Sequence, residues 1–130
     1  MAGTTDQDRN KAAVRRLFEE IFQHADIAAL GELVAPEIVD HNPTPGQPAG
    51  IEGIRHVVRF LHGAFAAPHF IVEDLIAEGD RVVARWRLSG TSTGAIPNMP
   101  PAGTPSDGGI IVIFRMENGK IVERWAAHQR

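Results

Sequence analysis

The apolar residues of this chain keep one period in its first half and another in its second. From Asp8 onward, Val14, Leu17, Phe18, Ile21 and Phe22 recur at three- and four-residue spacing, which puts them on one stripe of a helix. Asp26 is an N-cap candidate for a second helix that carries Ile27, Leu30, Leu33 and Val34 and is stopped by Pro36. A short extended piece, Glu37 to His41, runs into Asn42-Pro43-Thr44-Pro45-Gly46-Gln47-Pro48. Prolines cannot donate to a ladder, so this stretch is a loop. A third helix is expected over about Ile51 to Phe65, with Ile54, Val57, Val58, Leu61 and Phe65 facing inward. Arg55, Arg59 and His62 fall on its opposite, wet face.

After Pro68 the period becomes two. His69 to Glu78 reads as a strand, Gly79-Asp80 as a turn, and Arg81 to Thr93 as a longer strand. In the latter, Val82, Ala84, Trp86 and Leu88 alternate with Val83, Arg85, Arg87 and Ser89. Gly94 to Gly109, rich in proline and glycine, is expected to be loop. Ile110 to Met116 and Lys120 to His128 are two further strands joined through Asn118-Gly119, a hairpin signal because both residues tolerate positive φ. Helices first and antiparallel strands later predict an α+β fold in which a curved sheet wraps over helices. Residues 1–7 are expected to be a disordered tail on one domain spanning 1–130.

Composition narrows the function classes. A chain of 130 residues supports one core, and 43% apolar with 22% charged residues is ordinary for a globular domain. A net charge of −3 without a Lys/Arg cluster speaks against nucleic acid as a partner. The absence of cysteine excludes disulfides and thiol nucleophiles. No apolar run approaches the roughly 18 residues of a membrane span, and the first ten residues have no signal-peptide core, so a cytoplasmic protein with no membrane partner is expected. The six histidines are scattered, none pairs at i and i+2 or i+4, and no carboxylate completes a triad, so no metal is expected. No phosphate-cradling glycine loop follows a strand, and no serine elbow is present.

Several segments taken together carry a family resemblance. They are Asp40-His41-Asn42-Pro43, the third helix opening at Gly53, Glu78-Gly79-Asp80-Arg81-Val82, and Arg85-Trp86-Arg87-Leu88-Ser89-Gly90-Thr91-Ser92-Thr93-Gly94. Pro100-Pro101-Ala102-Gly103, Ile113-Phe114-Arg115 and Gly119-Lys120-Ile121-Val122-Glu123-Arg124-Trp125 complete the set. In this order, from about Val14 to Trp125, the chain resembles the SnoaL-like branch of the nuclear-transport-factor-2-like superfamily, which includes polyketide and ester cyclases. The resemblance implies a cone-shaped curved antiparallel sheet packed on three N-terminal helices, a cystatin-like α+β barrel with a central apolar pocket. It also implies a cofactor-free enzyme, a small apolar molecule as partner, and a homodimer formed through the sheet. In the polyketide cyclases a carboxylate just after the tryptophan of the last strand removes the substrate's acidic proton. The matching position here is Ala126, and Val112 stands where many relatives have a polar residue.

The candidate site residues follow from that inference and from alternation. The last strand puts Val122, Arg124, Ala126 and His128 on one face, which the resemblance makes the cavity face. Arg124 can hold an oxyanion through its planar fork, or form a salt bridge between strands. His128 has a ring that takes a proton near neutral pH, or is a solvated residue near the terminus. His41, before the proline loop, is a candidate base or a loop-bonding histidine, with Asp40 orienting its ring. Asn42 is an amide donor to a substrate oxygen or a loop cap. Trp86, Phe65, Met99, Val112, Phe114 and Ala126 are the expected pocket walls, Met99 as part of a lid. Asp107 is a relocated acid or a turn aspartate, and Arg85 and Arg87 belong to the sheet surface. The leading expectation is a cyclase or isomerase that abstracts a proton beside a carbonyl, with His41 as base, or His128 if His41 faces outward. The alternative is a non-catalytic protein that binds a hydrophobic ligand or serves as an accessory subunit.

Overall fold

The computed structural model describes residues 5–97 and 99–128, the last of these by its backbone alone. Helix α1 (Asp6–Arg16) begins where the Thr5 hydroxyl accepts the Asp8 N–H at 3.0 Å, a side-chain cap on an otherwise unpaired donor. The helix thus starts within the segment expected to be a tail. It continues into wider π-helical turns, Leu17–Phe22, in which Leu17, Phe18, Ile21 and Phe22 are buried. The second helix is shorter than its apolar spacing predicts, a 3-10 segment over Ile27–Glu32.

Strand β1 (Val34–Asp40) follows at once, so Pro36 lies inside a strand and does not end a helix. The strand tolerates it for two reasons. β1 is at the edge of the sheet, and its register against the neighbouring strand breaks between Val34 and Val39, where a missing N–H removes no ladder bond. Helix α2 (Ile51–Ala64) comes next, so only two of the three helices precede the first strand. His62, expected on a wet face, is half-buried, with its Nε2 2.6 Å from the Phe22 carbonyl oxygen.

Strands β2 (Phe65–Glu78), β3 (Arg81–Ser92), β4 (Pro105–Glu117) and β5 (Lys120–His128) complete the chain. Pro68 sits within β2 at a register break between Ala66 and His69, the same accommodation used at Pro36. β4 begins at Pro105 and not at Ile110, because Gly108 and Gly109 carry no apolar period yet pair with Leu88 and Arg87. The β4–β5 hairpin turns at Asn118 (φ 50°) and Gly119 (φ 79°), the two positive dihedrals its sequence predicts.

The strand order is β1-β5-β4-β3-β2, with β1 parallel to β5 and the other pairs antiparallel. The expected α+β fold, helices packed on a curved sheet, is thus present; the sheet is open, and its one parallel pair is β1 with β5. Its inner face, from Val82, Ala84, Trp86, Leu88, Val112, Phe114 and Ile121, packs on Val14, Leu17, Phe18 and Ile21 of the first helical layer and on Ile54 and Val58 of α2. Among the described residues no helix is long and apolar enough to cross a membrane.

Candidate active site

The helical layer and the inner sheet face enclose a cavity of about 490 Å³. Its apolar wall comes from Leu17, Phe18 and Phe22 of the π-helical turns, from Ile54, Val57, Phe60 and Leu61 of α2, and from Trp86, Ile110, Val112, Phe114 and Ala126 of the sheet. Asn42, Thr44 and Gln47 from the proline loop and Arg124 from β5 supply polar groups on that wall.

The parallel pairing of β1 with β5 sets this polar end, because it places Asp40 beside Arg124. Arg124 Nη1 donates to both carboxylate oxygens of Asp40, at 3.0 Å each, and the two side chains are only 16% and 8% exposed. Asp40 accepts two further bonds, from Gln47 Nε2 at 2.9 Å and from the Asn42 backbone N–H at 3.0 Å. Burial of an ion pair is tolerable when the remaining lone pairs are filled in this way. Arg124 Nε and Nη2 make no protein hydrogen bond among the described residues. Asn42 Oδ1 accepts the Ala126 N–H at 2.9 Å, which leaves the Asn42 amide hydrogens without a protein partner among the described residues. Gly53 lets α2 approach this loop closely, since a Cβ there would collide with the Pro48 carbonyl and lie 2.9 Å from Gln47 Nε2.

The residues on either side of Asp40 and Arg124 point the other way. His41 does not enter the cavity, contrary to its expected role as base. Its Nε2 lies 2.7 Å from Glu123 Oε2, and its ring stacks on Trp125 with centroids 4.7 Å apart and planes 4° from parallel. Arg115 also bonds Glu123, and the Arg81 guanidinium lies 4.9 Å above the Trp125 ring. The bond with His41, then that with Arg115, holds the Glu123 carboxyl below its ordinary range. Glu117 and then Glu123 push the Arg115 guanidinium up. Alternation explains the placement: once Asp40 faces in, His41 must face out.

The other candidates divide similarly. Trp86, Val112, Phe114 and Ala126 line the cavity, whereas Phe65 and Met99 do not. Phe65 is buried at the α2–β2 junction against Gly90, and Met99 packs on the core through a loop anchored by Ser92 Oγ, which donates to the Pro100 carbonyl at 2.6 Å. Arg85 pairs with Asp74 and Glu73, and Asp107 pairs with Arg87 at 3.1 Å on the outer sheet face, away from the cavity. His128 pairs through its backbone with Ile110; its side chain lies outside the described residues. Among the described residues no three His, Asp or Glu side chains gather as metal ligands.

The model of the SnoaL-like polyketide cyclase family matches residues 12–130. The chain belongs to the SnoaL-like polyketide cyclase family. Among curated proteins none matches the sequence. Solved structures match the fold, with TM-scores of 0.79 for TsrD from Streptomyces laurentii and 0.79 for IdmH, a candidate polyketide cyclase from Streptomyces antibioticus. Both are 30% identical to this chain, over 91% of it and 89% of TsrD and over 92% of it and 91% of IdmH. A candidate polyketide cyclase from Bacillus cereus has the same fold, with a TM-score of 0.81 at 24% identity over 94% of this chain and 75% of that one. Family membership supports a cyclase-type role. Within this SnoaL-like chain, Ala126 stands on the cavity wall, its N–H donating to Asn42 Oδ1, and contributes only a methyl group.

Proposed function

We propose that the protein is a cofactor-free cyclase or isomerase acting on an apolar, polyketide-like carbonyl compound. Arg124 carries this reading: it is the charged side chain on an otherwise largely apolar wall among the described residues, and it keeps donors uncommitted beside the Asn42 amide. A base removes a proton next to a carbonyl and the electron pair moves onto oxygen; the enolate then attacks a second carbonyl, whose oxygen takes up the proton from the base, or accepts that proton at another carbon. Arg124 and Asn42 hold the enolate oxygen, where fixed donors in an apolar surround are most effective. With His41 facing outward, the base in this reading is His128, two residues beyond Ala126 on β5. The small side chain of Ala126 leaves room for substrate beside Arg124.

The test needs no knowledge of the natural product. Exchange of the benzylic C1 protons of 2-tetralone into D2O, followed by proton NMR, reports proton abstraction beside a carbonyl. The protein is expected to accelerate exchange over buffer, and Arg124→Gln to reduce the gain by about two orders of magnitude, the typical loss of an oxyanion donor. No acceleration by the intact chain would sink the catalytic reading.

A second reading is supported by Ala126 and Val112 themselves. A wall that is aliphatic at both positions suits a non-catalytic carrier of a hydrophobic ligand. Tight binding of 2-tetralone without exchange would favour it. We also propose that two copies associate through the outer sheet face, where Val83, Ile111 and Ile113 are half-exposed. Sedimentation of Ile113→Glu as a monomer beside a dimeric parent is the expected result.

A further inference from the structure

Helix α1 carries a buried polar residue at the start of its apolar stripe. Asn10 precedes Val14, Leu17 and Ile21 at the same three- and four-residue spacing, so it points, as they do, toward the sheet. It is 9% exposed, yet its carboxamide makes no hydrogen bond among the described residues. The one side-chain nitrogen or oxygen that is both sealed and unpaired among those residues is Trp86 Nε1, so the Asn10 amide keeps accessible surface. What Asn10 borders is a hollow of about 930 Å³ between the start of α1 and the two hairpin turns, Gly79-Asp80 and Asn118-Gly119. This hollow shares no lining residue with the central cavity. A leucine at position 10 would extend the stripe without burying an unpaired amide, so asparagine there does not serve the fold.

The lining of the hollow has the chemistry of a cation site. Arg9 is paired with Asp6, whereas the Asp80 carboxylate has no ion pair or hydrogen bond among the described residues. The Met116 N–H donates to the Asp80 carbonyl at 2.7 Å, which ties the β2–β3 turn to the end of β4 and fixes Asp80 in place. Asp6 and Asp8, in the first turn of α1, offset the positive end of that helix. Met116, 3% exposed, is the one wholly apolar side chain of the lining, so a hydrocarbon finds little to bind. A calcium ion would need about six to eight oxygens at about 2.3–2.6 Å, and no three Asp, Glu or His side chains gather among the described residues. We propose that the hollow is a second binding site, for a small molecule bearing a primary ammonium group. Asp80 supplies the opposite charge, and Asn10 Oδ1 accepts one of the ammonium's protons, a group with three donors and no acceptor.

The probe is n-butylammonium chloride, with n-butanol and sodium chloride as controls for chain length and ionic strength. In proton–nitrogen NMR of the full chain, the Asn10 side-chain amide and the Gly79 and Gly119 backbone amides should shift saturably with butylammonium and with neither control. Asp80→Asn should weaken binding by at least about tenfold, the worth of one charge-assisted hydrogen bond. Asn10→Leu should weaken it too, read at Gly79 and Gly119, while raising the melting temperature. A response to butanol equal to that of butylammonium, no saturable response, or undiminished affinity in Asp80→Asn would each overturn the proposal. A lowered melting temperature in Asn10→Leu would do so as well, by showing that the amide serves the fold. Neither residue borders the central cavity, so the result is independent of the cyclase or isomerase reading.

Discussion

Strand β5 separates two polar clusters built from adjacent residues. On the inner side Arg124, Asp40, Gln47 and Asn42 form a network whose ion pair is 16% and 8% exposed; on the outer side His41 and Glu123 meet at 38% and 22% exposure. The bonds are of similar length, yet their consequences differ. Outside, water is ready to replace whichever partner is lost, so the pair adds little to stability. Inside, removing one partner leaves a charge with nothing to answer it, and the same isolation makes the group effective toward a ligand.

The comparison is most exposed to Asp40→Ala. Stranding Arg124 should cost about 3–5 kcal/mol in denaturant unfolding; a cost no larger than that of an outer-face variant would erase the distinction. The double variant Asp40→Leu with Arg124→Met should recover most of that loss, because two apolar groups of similar volume have no charge to desolvate. Gly53→Ala acts on the inner cluster from behind, forcing Pro48 and Gln47 away from α2. Overpacking of this kind costs about 1–3 kcal/mol, read as a lowered melting temperature. His41→Ala should change stability by less than about 1 kcal/mol and leave tetralone exchange intact; loss of exchange would return His41 to the chemistry. The smallest effect is in acid. Glu123 has a lowered carboxyl in the folded state, so its contribution is complete above the ordinary value of 4.5 and disappears as pH falls through the lower folded value. Glu123→Gln should accordingly flatten the acid limb of the stability profile, and an unchanged limb would remove Glu123 from it.

The sequence displays some of this architecture plainly. Alternation along β5 is enough to put Arg124 and Ala126 on one face, and Asn118-Gly119 marks its hairpin. Alternation along β3 puts Trp86 inward. What it conceals is non-local. Asp40 and Arg124 are 84 positions apart and meet through a parallel pairing that no turn residue announces. That is why Asp40 reads as an orienter of His41 when it is the counter-ion of Arg124. The helical wall is hidden for another reason: Phe60 lies outside the spacing used to identify the inward face of α2, yet it borders the cavity. Prolines mislead where a register break accommodates them, as at Pro36 and Pro68. Met99 has the composition of a lid, but Ser92 fastens its loop elsewhere.

The pairing of the first strand with the last also orders events in time. During synthesis β1 has no strand partner until β5 emerges, so the cavity cannot close before β5 is in place. A nascent chain halted before the β4–β5 hairpin would carry its aromatic lining exposed to solvent.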